Sequence, residues 1–74
     1  MCLLEMKIGE SCVIDAIHVK GDLKRRLNSL GLMRHASVSV KTYGWFKSTV
    51  QIVINRSSIA LRKEEAAQIL VHKV

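Results

Sequence analysis

Three histidines and two cysteines are the side chains of this 74-residue chain best suited to holding a transition metal. His18, His35 and His72 are spread along the whole chain, whereas metal sites typically show closely spaced pairs of ligands. A site could still assemble in three dimensions from Cys2, Cys12 and His18. The spacing alone favours ordinary surface or core residues, and we expect no resident metal or other cofactor.

Catalytic groups are equally hard to find. No Gly-x-Ser-x-Gly turn or Cys/His pair marks an activated nucleophile. The four glycines, Gly9, Gly21, Gly31 and Gly44, stand apart, so no glycine-rich loop is available to hold a phosphate. We predict no catalytic residue and no enzymatic activity.

A cluster of cations is more informative. The chain has 12 Lys and Arg against 6 Asp and Glu, a net charge of +6, which suits an acidic protein surface, nucleic acid or an anionic membrane. Lys24, Arg25 and Arg26 follow one another, and Arg34 lies a few residues further on. A solvated face is the plain interpretation, and docking on an acidic protein surface is the functional one.

The three aromatic residues of the chain are grouped within four positions, as Tyr43, Trp45 and Phe46 around a glycine. Tryptophan and tyrosine are enriched at binding hot spots, and exposed apolar patches commonly mark interfaces. A buried lid over one end of the fold is the alternative, and both roles could apply to different rings.

These residues lie in a chain whose composition indicates one small cytoplasmic domain, residues 1–74. Hydrophobic residues make up 49% and charged residues 24%, which excludes a disordered chain, because disorder requires few apolar residues and high net charge. The start of the chain has no basic region before its short apolar run, so we expect no signal peptide. Two cysteines fit a reducing cytosol.

One amphipathic helix is predicted over residues 22–30. Asp22 can cap its first turn, and Leu23, Leu27 and Leu30 recur on one face. Gly31 follows where helices commonly end in a left-handed residue, which lets the next leucine pack back on the helix.

The remainder of the chain shows the alternation of half-buried strands. Residues 11–19 have two competing apolar faces, which is typical of a strand that is buried on both faces or interrupted by a bulge. The other predicted elements are an edge strand or lead-in (1–6), strands (36–41, 49–54, 57–62 and 70–74), a hairpin loop (43–48) and a helix (64–69). We therefore predict a mainly β fold with one or two short helices, a small bent antiparallel sheet that closes into a partial barrel.

Three motifs follow one another along this pattern. Leu4, Gly9 and Val13 form an opening motif, R-L-x-x-L-G-L begins at Arg26, and I-A-L-R-x-x-x-A-x-x-I-x-V begins at Ile59. Together they span residues 4–71 and resemble the FeoA family, small proteins of bacterial ferrous iron uptake. Two turns depart from the family pattern, with Arg34 and His35 in place of Pro-Gly and no glycine near Asn55, so we expect differences in loops and not in the fold.

The resemblance implies an SH3-like barrel that acts in the cytoplasm with FeoB, a membrane transporter that carries a GTPase domain. It implies contact with the membrane only indirectly, through the transporter. The same barrel also occurs appended to iron-dependent repressors, but this chain is too short to carry their DNA-binding helices as well. A free-standing accessory protein is the better match.

We therefore predict an accessory or regulatory protein that binds the cytoplasmic part of an FeoB-like transporter, with self-association left open. An arginine from this chain could also act in trans on the GTPase. A nucleic-acid-binding barrel is the second interpretation, disfavoured because no aromatic lies on a predicted strand face, and a metal-responsive module is the third. The predicted protein-interaction residues are Lys24, Arg25, Arg26, Arg34, Tyr43, Trp45 and Phe46.

Overall fold

A single antiparallel sheet organises the computed structural model, which describes all residues from Met1 to Val74. The spatial order of its five strands is β4-β3-β2-β1-β5, and the mainly β, antiparallel fold expected from the sequence is confirmed. The strands are β1 (Ser11–Ile17), β2 (Ser37–Tyr43), β3 (Thr49–Ile54), β4 (Ser57–Arg62) and β5 (Ile69–Lys73). The helical elements are α1 (Gly21–Ser29), α2 (Lys63–Ala66) and two 3-10 turns, Leu3–Glu5 and Trp45–Lys47.

The sheet curls around its own core. Five flat strands would form a layer only one backbone thick, with neighbouring strands about 4.8 Å apart, but the Cα positions extend over 27 × 24 × 23 Å. Since only two short helices and two 3-10 turns are present to add a second layer, such similar dimensions fit a strongly bent sheet. Its edge strands β4 and β5 are not paired with each other, so the barrel is partial, and α2 connects the two edges along the chain.

The core is entirely apolar. It contains 17 buried residues, and no buried residue is polar or charged. The strands supply alternate side chains, as predicted: Val50, Ile52 and Ile54 from β3, and Ile59 and Leu61 from β4, are all buried. Every ionisable side chain except the Cys12 thiol therefore stands at the surface or close to it. Neither α1 nor α2 has the length and hydrophobicity of a membrane-spanning helix.

Two β-bulges interrupt the alternation. The register between β1 and β5 shifts around Asp15, and that between β2 and β3 shifts around Lys41. Before the first bulge Ile14 is buried, and after it Ile17 and Val19 turn towards the core. The bulged interpretation of residues 11–19 is therefore confirmed, and it explains why two apolar faces compete in this stretch.

Helix α1 ends as the sequence predicts. The Leu32 amide donates to the Leu27 carbonyl at 2.9 Å and the Gly31 amide to the Asn28 carbonyl at 3.0 Å, the bond pair of a Schellman motif. Gly31 has φ +97°, a left-handed conformation that other residues adopt only at a cost. Leu32 then returns to the core, where it is fully buried.

Two details of α1 differ from the prediction. Asp22 is not the capping residue, because the helix begins at Gly21 and no side chain caps it. Leu30 does not continue the buried face: it is the last residue before the Schellman turn and is 41% exposed. The turn redirects the chain, so Leu32 takes the buried position that the helical period assigned to Leu30.

Both ends of the chain also differ from the prediction. Leu3 and Met6 are buried across a 3-10 turn, and an isolated bridge from Cys2 to Leu70 is all that remains of the expected edge strand. The second helix ends at Ala66, not at residue 69, because Ile69 is already paired with Ile17 in the sheet. In each case long-range packing overrides the local pattern.

Replacing Gly31 with alanine should lower the free energy of unfolding by about 1–2 kcal/mol, the cost of a left-handed conformation for a residue with a Cβ. A Cβ at this position would meet Asn55 Nδ2 at 3.4 Å and Ile54 Cγ2 at 3.5 Å. Strain from the positive φ, and not steric collision, should therefore account for most of the lost stability. Chemical denaturation measures the loss. Asn28→Ala, an exposed helical control, should change stability by less than about 0.5 kcal/mol, and equal stability of the two variants would contradict the argument.

Candidate functional site

The predicted cations form one exposed surface around α1, here called the basic surface and made up of Lys24, Arg25, Arg26 and Arg34. All four side chains are exposed. The only ion pair among them joins Arg25 Nη2 to Asp22 Oδ1 at 3.6 Å, and a pair this exposed adds little to stability. The cations are therefore free to engage a partner.

Two open grooves lie beside this surface. Lys24 and Arg34 line a groove of about 540 Å³ with the bulged residue Asp15 and with Met33, which is 48% exposed. Arg26 lines a second groove, of about 370 Å³, whose other walls come from the start of α1, the end of β4 and α2. No sequence pattern signals these grooves, because their walls come from elements far apart along the chain.

The aromatic cluster is divided by the structure. Tyr43 is half-buried and packs on the core, and its hydroxyl donates to the Met6 carbonyl and lies 3.3 Å from the Leu4 carbonyl oxygen. Burial raises its pKa above the ordinary tyrosine value. The bulge at Lys41 is responsible, because it turns Tyr43 to the core face that unbroken alternation would have given to Thr42.

The other two rings point away from the protein and are here called the aromatic tip, Trp45 and Phe46. Their exposed fractions are 85% and 93%, and their ring centroids are 6.3 Å apart. The base of the loop is hydrogen-bonded, since the Gly44 amide donates to the Thr49 carbonyl at 2.9 Å. A Cβ on Gly44 would collide with the Thr49 hydroxyl, so this close approach requires glycine.

Most acidic side chains are occupied within the fold. The carboxylates of Glu5, Glu10 and Glu65 each accept a hydrogen bond from the backbone amide three residues earlier, at 2.7–2.8 Å. The bond from the Lys7 amide is the main cause that lowers the pKa of Glu10. Asp15 Oδ1 lies 2.6 Å from His72 Nδ1 beside the β1 bulge, a pair 57 positions apart that no sequence motif signals. These contacts leave the cations dominant on the surface.

The possible metal ligands remain dispersed. Cys12 is buried in the core, where desolvation raises the pKa of its thiol, and His18 and His35 are exposed. No three His, Cys, Asp or Glu side chains come close enough to hold an ion. The structure thus does not assemble a site from Cys2, Cys12 and His18.

Comparison with known proteins identifies the family to which this chain belongs. The family model for the FeoA domain matches residues 1–73. The chain belongs to the FeoA family. The family is associated with ferrous iron transport, and the resemblance inferred from the three sequence motifs is confirmed. The comparison with curated proteins found no similar sequence.

Solved structures of FeoA proteins share the fold. The FeoA protein of Chlorobium tepidum is 28% identical with a TM-score of 0.93, over 100% of this chain and 70% of that one. Iron(II) transport protein A of Clostridium thermocellum is 26% identical with a TM-score of 0.89, over 100% of this chain and 46% of that one. A further FeoA structure, which is described as that of a prokaryotic SH3 domain protein, confirms the prediction of an SH3-like barrel.

That structure is FeoA of Stenotrophomonas maltophilia in complex with zinc, which is 25% identical with a TM-score of 0.80, over 97% of this chain and 89% of that one. It is described as a prokaryotic SH3 domain protein and as a candidate ferrous iron transport activating factor. An accessory role in transport is therefore the role described for a relative of this FeoA-family chain.

Tyr43, the single tyrosine of this FeoA-family protein, should lose its proton at a higher pH than an ordinary tyrosine. Its raised pKa means that the fold favours the neutral phenol, so Tyr43 should lower stability as the pH rises above the ordinary value of about 10. Tyr43→Phe should remove this alkaline loss and cost about 1 kcal/mol at neutral pH through the lost hydrogen bonds. Tyrosinate absorbance of the wild type measures the titration directly, and an ordinary pKa would contradict the packing described.

Truncating the aromatic tip should leave the fold intact. Trp45→Ala and Phe46→Ala should each change the free energy of unfolding by less than about 0.5 kcal/mol, because neither ring packs on the core. Leu27→Ala, which empties a buried position of α1, should cost roughly 2–5 kcal/mol as the control. Thermal denaturation distinguishes the cases, and a tip variant as damaging as the control would mean that the rings form a lid.

Proposed function

We propose that this FeoA-family protein acts in the cytoplasm as an accessory protein of ferrous iron uptake, and that it binds the cytoplasmic part of an FeoB-like transporter through the basic surface. The observation that carries the proposal is the concentration of Lys24, Arg25, Arg26 and Arg34 around one helix, with a single exposed ion pair among them. Family membership supplies the transport context.

Electrostatics gives this arrangement a definite use. A cluster of exposed cations attracts an acidic partner from a distance and raises the rate of encounter by roughly 10-fold to 1000-fold at low salt. The groove lined by Lys24, Arg34 and Met33 adds apolar surface beside the charges. An acidic partner segment that carries one or two apolar side chains fits such a groove.

Docking on protein is preferred to binding nucleic acid for a geometric reason. Barrels that bind single strands interleave cations with aromatic side chains on which bases stack. Here the aromatic tip follows β2, while the end of α1 lies beside Ile54 and Asn55 at the other end of β3. The six residues of β3 separate the tip from the end of α1 by about 20 Å. Arg26 lies nearer, in a groove shared with Arg62, the sheet partner of Thr49, but no aromatic side chain lines either groove beside the basic surface.

Reversing the charge of two arginines tests the proposal. Arg25→Glu with Arg26→Glu should weaken binding to the soluble cytoplasmic domain of the transporter and flatten its salt dependence, while the melting temperature changes little because both side chains are exposed. Lys7→Glu with Lys41→Glu is the matched control, since it makes the same change in charge at exposed lysines that line neither groove beside α1.

Calorimetric titration over a series of salt concentrations measures both effects. Unchanged affinity in the folded arginine variant, or an equal loss in the lysine control, would show that the basic surface is not the docking site. Strong binding of the wild type to nucleic acid, abolished in the arginine variant, would instead support the nucleic-acid-binding alternative.

A further inference from the structure

The aromatic tip has no partner within the chain. Trp45 and Phe46 are 85% and 93% exposed, and neither ring belongs to the core or to the residues packed against it. Exposure of two large rings to water is unfavourable, and soluble proteins retain such patches mainly where something else covers them. We therefore expect a binding partner to cover the tip.

The backbone conformation of the loop, and not only the choice of side-chain rotamers, directs the two rings outward. Phe46 and Lys47 both adopt left-handed conformations, with φ of 53° and 57°. Two consecutive strained residues persist only where the surroundings fix them. Here the Lys47 amide donates to the Gly44 carbonyl at 3.1 Å, the Ser48 amide donates to the Trp45 carbonyl at 2.9 Å, and Lys47 Nζ lies over the Tyr43 ring at 4.6 Å.

Several lysines lie near the aromatic loop along the chain or across the sheet. Lys47 lies within the loop, Lys41 is the exposed bulge residue of β2, and the Lys63 amide donates to the Ser48 carbonyl at 2.9 Å. Lys7 directly follows Met6, whose carbonyl accepts the Tyr43 hydroxyl. The acidic side chains that come near are Glu5, Glu10 and Glu64, of which Glu5 accepts the Cys2 amide and Glu10 is paired with Lys73 at 3.3 Å.

Protruding aromatic side chains with several lysines nearby match one kind of surface better than others. Tryptophan and phenylalanine partition into the headgroup boundary of a bilayer, and lysines beside them are attracted to anionic lipids. We propose that the aromatic tip inserts into the interface of an anionic bilayer, with Lys41 and Lys63 against the headgroups. This contact goes beyond the indirect membrane association implied by the family.

The proposal is independent of transporter binding. The tip precedes Thr49 at the start of β3, whereas the end of α1 lies beside Ile54 and Asn55 at the end of β3. The end of α1 can therefore contact protein while the tip contacts lipid. Neither groove is lined by a residue of the tip. The second groove reaches Arg62, the sheet partner of Thr49, but four of its five lining residues are charged, so it does not suit an apolar side chain from a partner. A bilayer needs no such recess, because the rings themselves do the inserting.

Trp45 is the only tryptophan of the chain, so its fluorescence reports on the tip without labelling. The full chain is titrated with vesicles of phosphatidylcholine containing about one-third phosphatidylglycerol, and with phosphatidylcholine alone. We expect the emission to shift to shorter wavelength and to be quenched by brominated acyl chains with the anionic vesicles. The response should weaken as salt is added, and it should be much smaller with the neutral ones.

Variants identify the contact. Phe46→Ala, which keeps the reporter, should reduce partitioning onto anionic vesicles about tenfold, and Lys41→Gln with Lys63→Gln should reduce it several-fold. Met33→Ala and Lys24→Gln with Arg25→Gln, on α1 and the loop that follows it, are the matched controls and should bind like the wild type. Circular dichroism verifies that each variant is folded.

Other outcomes overturn the proposal. An unchanged Trp45 spectrum with anionic vesicles would exclude insertion, and loss of binding in the controls but not in Phe46→Ala would assign the lipid contact to the basic surface. A blue shift that appears without vesicles as the protein is concentrated would show that a second copy covers the tip. A shift produced by the transporter's soluble domain alone would assign the tip to a protein contact.

Discussion

Burial of a small apolar core is the constraint on which the structure depends. A chain of 74 residues encloses little volume, and this one uses it for 17 buried side chains without one polar group among them. The sheet must curl to enclose them, and the two bulges let β1 and β2 bend without breaking their pairing. The Schellman turn after α1 serves the same end, because it returns Leu32 to the core.

The same constraint moves all candidate function to the surface. With no interior space for a polar site, binding has to use exposed side chains. The fold groups these side chains into separate surface patches. Cations gather around α1 and two rings stand out before the start of β3, while several carboxylates are held by backbone amides. A molecule built in this way is suited to contacting two surfaces at once.

The comparison with known structures fits this picture. A TM-score of 0.93 at 28% identity means that most side chains can change while the backbone path is retained. Cores tolerate substitution when apolar pattern and volume are kept, and the positions that carry the three motifs of this chain include the capping glycine and several core residues, among them Gly31, Leu27 and Ile69. Surface residues are under no such packing constraint, so docking surfaces have to be argued from this chain's own cations and rings.

The sequence by itself determined what depends on neighbours along the chain. The alternation of β3 and β4, the end of α1 at Gly31 and the exposure of the cations opposite the leucine face all follow from local period and capping, which is why they could be predicted. The tertiary structure decided what depends on pairing between distant strands. Bulge positions are set by register, and the bulge at Lys41 buries Tyr43 while Trp45 and Phe46 remain exposed, a division that three adjacent rings in a sequence cannot reveal.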